Sequence, residues 1–426
     1  MSMNKTLILK GNILFAESTR QLMTLENGYI VSEDGIVTGV FPQLPERFQN
    51  AEVVDFGSSL IIPGLADLHL HAPQFAIRGM GMDLELIPWL NQYAFPEEAK
   101  YADMKYAAAA YSVFCAALKT GVTTRASVYA SLHAPAAELL MQMLEETGLA
   151  TFVGKVNMDR NTPDYLVETT NGSIADTEAW IRRTQNAYPN TKPSITPRFV
   201  PTCTAELMAA LGRLAGEYGV PVQSHLSENR REIEWVKELH PEFKTYSDVY
   251  DHFGLFGQQP TIMAHCVYLS ENEMDLIRER GVWIAHCPES NINISSGIAP
   301  VRDMLDKGLR VGLGTDVAGG FSISMFRALS DAIQASKMYA MFIDGSKTPL
   351  TLTEAFYMAT KGGGSFWGNV GSFEPGFELD AVVIDDSGIN GLSTLTLAQR
   401  LERVVHLSDD RNIQAKYVRG KAVKLH

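Results

Sequence analysis

LIIPGLADLHLH, residues 60–71, decides how the rest of the chain reads. It is a run of strand formers that ends in His69-Leu70-His71. In an extended strand alternate side chains point the same way, so the two imidazoles share one face and can grip one metal ion. Further along, VPVQSH closes on His225, TIMAH on His265 and RVGLGTD on Asp316. Polar, metal-capable side chains therefore recur, in order, where apolar runs give out.

From Gly64 onward a short apolar run, a loop and a long helical stretch alternate about eight times, which is the rhythm of an α/β chain folded as a parallel (β/α)8 TIM barrel. The spacing predicts barrel strands near 64–71, 121–128, 150–158, 193–200, 220–225, 260–266, 281–287 and 310–316. One helix is expected to begin at Pro96, in its first turn, and to end at Thr120-Gly121. In such a barrel the C-terminal strand ends converge on one pocket, and the histidines and Asp316 all occupy such ends. Gly312, Gly314 and Asp316 share one strand face, which leaves room inside the barrel near the metal, while Val311 and Leu313 face the helices.

The flanks read differently. Residues 6–15, 28–32, 36–41 and 52–56 are expected as strands, with Glu33-Asp34-Gly35 as a hairpin turn. After about residue 370, strands are expected at 381–384, 403–407 and 416–423, the last turning at Arg419-Gly420-Lys421. The economical arrangement joins residues 1–63 and 370–426 as one small β-sandwich beside a catalytic barrel of residues 64–369.

With 426 residues, 46% hydrophobic and 20% charged, the chain can build a large core without staples. A net charge of -13 and no basic block argue against nucleic acid and favour a small neutral ligand. The longest apolar stretch, 106–118, is too short to span a bilayer and reads as a buried helix, so no membrane role is expected. Four cysteines without a C-x-x-C pair, behind an N-terminus that lacks an apolar leader, fit buried reduced thiols in a cytoplasmic protein. Gly362-Gly363-Gly364 reads as a turn rather than a phosphate cradle, because no Lys-Ser/Thr follows it.

The chain resembles the amidohydrolase superfamily in His69-x-His71, His225, His265 and Asp316, and within it the guanine deaminases. The narrower likeness rests on PGLADLHLHAPQF (63–75), WLNQYAFPEE (89–98), GKVNMD (154–159), TPRF (196–199), SHLSEN (224–229), HCPESN (286–291), GLGTDVAGG (312–320) and SDDRNI (408–413). Glu97 and Glu289 are mild departures that touch no expected ligand.

The resemblance implies one Zn²⁺ per subunit on His69, His71, His225 and Asp316, a set that Fe²⁺ would also accept. It further implies a homodimer and the hydrolysis of guanine by water to xanthine and ammonia. On this reading Glu228, three residues beyond His225, protonates N3 while hydroxide attacks C2. Asp316 takes the proton of the attacking oxygen and passes one to the departing amine, and His265 holds the reacting oxygen. Arg198 donates to O6, Gln74 donates and accepts at the base edge, Phe199 stacks on the ring and Trp89 closes over it. Adenine should be a poor substrate.

Other readings stay open at this point: a related hydrolase of a triazine, cytosine or adenosine-like compound, or a silent barrel kept as a scaffold. The other zinc deaminase architecture, His-x-Glu with Pro-Cys-x-x-Cys, is absent. Lys155 falls on the third strand and is not expected to bridge metals. His286 reads as part of a structural turn, and His133, His240, His252, His406 and His426 as surface or helix residues.

Overall fold

The structure is a computed structural model that describes residues 5–389, 391 and 394–425. Eight parallel strands form the barrel: Leu65–His71, Thr123–Tyr129, Ala150–Gly154, Thr191–Pro193, Val222–Leu226, Thr261–His265, Trp283–His286 and Arg310–Leu313. They pair in chain order, the eighth meets the first at Leu313 and Asp67, and a bridge between Ile195 and Val222 joins the fourth side to the fifth. Helices such as Met104–Thr120, Ala134–Thr147, Ala205–Tyr218 and Met325–Phe342 follow the first, second, fourth and eighth strands. Two of them stop on glycines in the left-handed region, Gly148 (φ 77°) and Gly219 (φ 62°), so that the chain reverses into the next strand.

Leu68, Ile262, Ala264, Ala285 and Cys287 cluster with Phe366, and Phe152, Trp283 and Trp367 pack against them. Strands one, three and six are not neighbours in the ring, so their side chains meet only inside it. Gly314 makes the room expected of it: a Cβ there would stand 2.9 Å from the Cβ of His69 and 3.0 Å from Cys287 Sγ.

Both ends of the chain enter one seven-stranded sheet, ordered Lys421–Ala422, Ile413–Val418, Ala381–Ile384, Val53–Pro63, Thr6–Ser18, Gln21–Glu33 and Ile36–Phe41. One face buries Leu9, Ile13, Ile30, Ile61, Val383 and Tyr417 together, while Leu14, Leu60, Ile62 and Val382 join the main core. The buried Arg125 of the second barrel strand reaches across to Asp380 (Nε to Oδ2 2.6 Å, Nη2 to Oδ1 2.9 Å) and to Glu378. The expected hairpin turn is present, with Asp34 and Gly35 both at positive φ.

Some expectations need correction. Residues 403–407 are not a strand but the end of a helix, Leu397–Leu407, opened by a capping box between Thr396 and Gln399. The helix expected from Pro96 to Thr120 is broken: Phe95–Ala99 ends, the chain turns, and Asp103 caps a new helix by accepting the backbone N–H of Lys105. Gly362, Gly363 and Gly364 are helical rather than a turn. Their missing side chains let this segment lie against the barrel, since a Cβ on Gly362 would meet Val311 O at 3.0 Å and one on Gly363 the Cβ of Ala66 at 3.3 Å. The third and fourth strands each carry a break, continuing as Val156–Asn157 and Thr196–Pro197. All four cysteines are buried and unpaired. Asp103→Ala should cost about 1 kcal/mol, read as a lower urea midpoint with an unchanged slope.

Candidate active site

The C-terminal strand ends do converge. The first strand supplies His69 and His71, the fifth His225 and the sixth His265, and Asp316 follows the eighth. Backbone bonds carry the register of the first and eighth strands past their ends: Asp316 N–H donates to His69 O and His71 N–H to Val317 O, both at 2.8 Å. Asp67 strengthens this seam. Its buried carboxylate accepts from the backbone N–H of His69 (3.2 Å) and from both the N–H (3.0 Å) and the hydroxyl (2.5 Å) of Thr315. Burial pushes Asp67 up to about 7 against those bonds. Ser227, His265 and Asp316 all hold left-handed backbone conformations (φ 49°, 71° and 47°), which turns the chain sharply at the pocket floor.

Three imidazoles aim the same nitrogen inward. His71 Nε2 lies 3.3 Å from His69 Nε2 and 3.3 Å from His225 Nε2, while Asp316 Oδ1 lies 3.1 Å from His69 Nε2 and 3.4 Å from His71 Nε2. Ligands of a tetrahedral zinc, at about 2.0–2.1 Å from the ion, stand about 3.3–3.4 Å from one another. The donor set therefore fits such an ion. The electrostatics agree, because burial, reinforced by other cationic or imidazole groups, holds His71 and His225 well below the usual histidine range. Burial also lowers His69 against the pull of Asp316. Neutral rings present lone pairs, as metal ligands must. His225 donates from Nδ1 to Arg198 O at 2.5 Å, which leaves its Nε2 free for the ion. Burial opposes the charge on Asp316, yet the neighbouring His69 and His265 hold it down at about 2. The Tyr129 ring packs edge-on against His69 and tilted against His71, with centroids 4.8 and 4.5 Å away.

Glu228 lies beside this cluster with Oε2 3.4 Å from His265 Nε2. Its other oxygen accepts the Ser296 hydroxyl at 3.0 Å, and Glu232 fixes its backbone by accepting the Glu228 N–H at 2.9 Å. Burial pushes Glu228 up to about 7, with His265 pulling it down and Glu232 and Asp316 adding to the rise. His265 is itself raised: burial opposes the charge, but Glu228 and Asp316 outweigh it. Its Nδ1 faces Asn291 Oδ1 at 2.9 Å. The short segment from Asn291 to Ser296 thus orients both groups.

Opposite the histidines lies a polar edge. Arg198, just past the fourth strand, donates to Glu98 from Nη1 (2.6 Å) and Nη2 (2.9 Å), and its guanidinium lies 5.0 Å over the Phe95 ring. Gln74 donates to Glu98 Oε1 at 2.8 Å and accepts the Ala318 N–H at 3.1 Å. Phe199 and Trp89 line the same cavity, with Phe199 edge-on to His225 and the Trp89 indole N–H donating to Met80 O at 3.0 Å. The cavity thus brings together His71, His225, His265, Asp316, Glu228, Gln74, Arg198, Phe199 and Trp89, with the fully buried His69 behind them. A larger cavity, of about 580 Å³, lies near Phe326, Val405 and Ile413 and holds no such cluster among the described residues.

The sequence reading passes over Glu98, Asp67, Asn291, Ser296, Glu232 and Tyr129. Only Asp67 carries a local signal, since it shares the strand face of His69 and His71. His286 is buried with no hydrogen-bonding partner on either ring nitrogen among the described residues, and burial lowers it to about 3. Lys155 is paired with Glu168 at 2.5 Å. His240 is not a surface residue: it is buried at the end of the helix Arg230–Leu239, 3.2 Å from Arg160. His426 lies outside the described residues.

A closed barrel with a histidine and aspartate cluster at its strand ends defines a class, and the chain belongs to it: residues 60–423 match the amidohydrolase family. Within that family the chain is similar to guanine deaminases. It is 38% identical over 450 residues to the guanine deaminase of Dictyostelium discoideum, covering all of both chains. It is 42% identical to that of Mus musculus over 85% of this chain and 82% of that one. The crystal structure of guanine deaminase from C. acetobutylicum with bound guanine in the active site superposes with a TM-score of 0.96 at 46% identity, covering 99% of this chain and 100% of that one.

Proposed function

We propose that this protein hydrolyses guanine to xanthine and ammonia, and that the ion at His69, His71, His225 and Asp316 is zinc. One observation supports the reading: a single pocket lined by His71, His225 and Asp316, with the buried His69 behind them, also holds the buried carboxyl of Glu228 and the side chains of Arg198 and Gln74. A bound ion would lower the pKa of water from about 15.7 to roughly 7 and so supply a nucleophile at neutral pH. Glu228, near 7, exchanges protons readily and delivers one to N3, which keeps the purine from becoming an anion as C2 is attacked. Asp316 accepts the remaining proton of the attacking oxygen and passes it to the amino group that leaves C2 as ammonia, while the proton that water gives up in becoming the nucleophile replaces the one Glu228 delivers to N3. His265 faces Glu228 and Asp316 and donates to the reacting oxygen. Arg198 donates to O6, Gln74 meets the adjoining edge, and Phe199 and Trp89 wall the ring.

Incubating the purified, metal-assayed protein with guanine tests this reading. Xanthine and ammonia should form in equal amounts, cease on chelation and return with zinc; full zinc occupancy without turnover refutes the substrate. Arg198→Ala should lower kcat/KM for guanine about tenfold to a hundredfold, the worth of a charged hydrogen bond, with metal content unchanged.

The activity suits guanine catabolism or salvage. Buried reduced cysteines fit the cytoplasm, and among the described residues no helix is long and apolar enough to cross a membrane. A homodimer is supported by Met338, Met341 and Phe342, which share one helix face and are 44%, 69% and 70% exposed. The domain division at residues 63 and 370 follows the change from terminal sheet to barrel.

A further inference from the structure

Glu98 is not a metal ligand and does not line the pocket, yet its side chain is almost wholly buried behind the residues that read the base. Both of its oxygens are engaged. Oε2 accepts Arg198 Nη1, and Oε1 accepts both Arg198 Nη2 and Gln74 Nε2. Two consequences follow from these bonds. First, polarity is fixed. The guanidinium is clamped end-on by a carboxylate and backed by Phe95, so only its outward N–H groups remain for a ligand. Gln74 cannot flip, because a flip would set its carbonyl against Glu98 and its amino group against the Ala318 N–H. Second, charge is cancelled. A buried, unpaired arginine would draw an anion, whereas the Arg198 and Glu98 pair is neutral as a whole.

We propose that Glu98 is a positioning residue that selects a neutral 6-oxopurine: it aims Arg198 and Gln74 at the base edge and withholds from the pocket a free positive charge that would hold an anion. This rests on the guanine reading above. Xanthine is a stronger acid than guanine, so the ionised product finds no unpaired cation on the reading edge and leaves.

Steady-state kinetics of metal-loaded wild type, Glu98→Gln and Glu98→Asp test the proposal. In wild type, inhibition by xanthine should weaken as pH rises through the ionisation of xanthine; strengthening overturns the proposal and needs no variant. Glu98→Gln should raise KM for guanine at least about tenfold while kcat falls far less, and should tighten inhibition by ionised xanthine. Glu98→Asp, which keeps the charge, should recover much of KM. Wild-type KM and xanthine inhibition in Glu98→Gln overturn the proposal, as does joint loss of kcat, KM and metal without rescue by aspartate, which marks a merely structural residue. A wild type inactive on guanine fails the functional reading itself, whereas an active wild type with an unresponsive Glu98→Gln fails only this inference.

Discussion

Adenine is expected to be turned over about 10⁴-fold or more less efficiently than guanine, the discrimination typical of a site built to hydrogen-bond one polar group. Arg198 offers only donors, and Glu98 and Phe95 hold its plane. Guanine would meet those donors with an acceptor, O6. Adenine places an amino group there, donor against donor, and has no amino group at C2 for water to displace. Reaction would require adenine to turn its C6 toward the histidines, away from the groups proposed to hold guanine. Competition assays with purified enzyme measure the ratio; comparable kcat/KM for the two bases would show that Arg198 does not read position 6.

Glu228→Gln is expected to bind zinc normally and to lose roughly 10²-fold or more in kcat, the usual worth of a positioned acid-base group. The amide keeps the size of the side chain and can still meet Ser296, so the pocket retains its shape. It cannot exchange a proton. Burial sets Glu228 near 7, so the loss should be steepest where the acid form is needed, and the alkaline limb of the wild-type profile should be altered in the variant. Unchanged turnover at full metal occupancy would remove Glu228 from the proton path.

Much of this site is legible in the sequence because the barrel does the assembling. His69, His225 and His265 each close or interrupt an apolar run, and closure of the ring brings strand ends together from distant parts of the sequence. Glu98 gives no such sign. In FPEEA two adjacent glutamates resemble a solvated helix face, and only the fold turns the second onto an arginine 100 residues away. Asn291 and Ser296 are equally silent, since their partners are side chains on other elements. The misread strand at 403–407 shows the opposite failure. RVVHL alone suits a strand, but Leu397, Leu401, Val404 and Val405 recur at helical spacing behind the Thr396 cap, and they are the residues the helix buries. The triple glycine suggests a flexible turn, whereas the fold uses its lack of bulk.

The terminal sheet imposes an order on synthesis. Ser59 hydrogen-bonds Gln414 from 355 residues away, and Val53–Pro63 pairs with Ala381–Ile384. As the chain leaves the ribosome, the first hairpin and the strand beside it emerge with an apolar face and an open edge, and must wait through translation of the whole barrel for their neighbours. Enzyme truncated before Ile413 would thus carry every residue of the pocket and still expose the Ala381–Ile384 strand as a sticky edge, so that the last strands act as the molecule's quality seal.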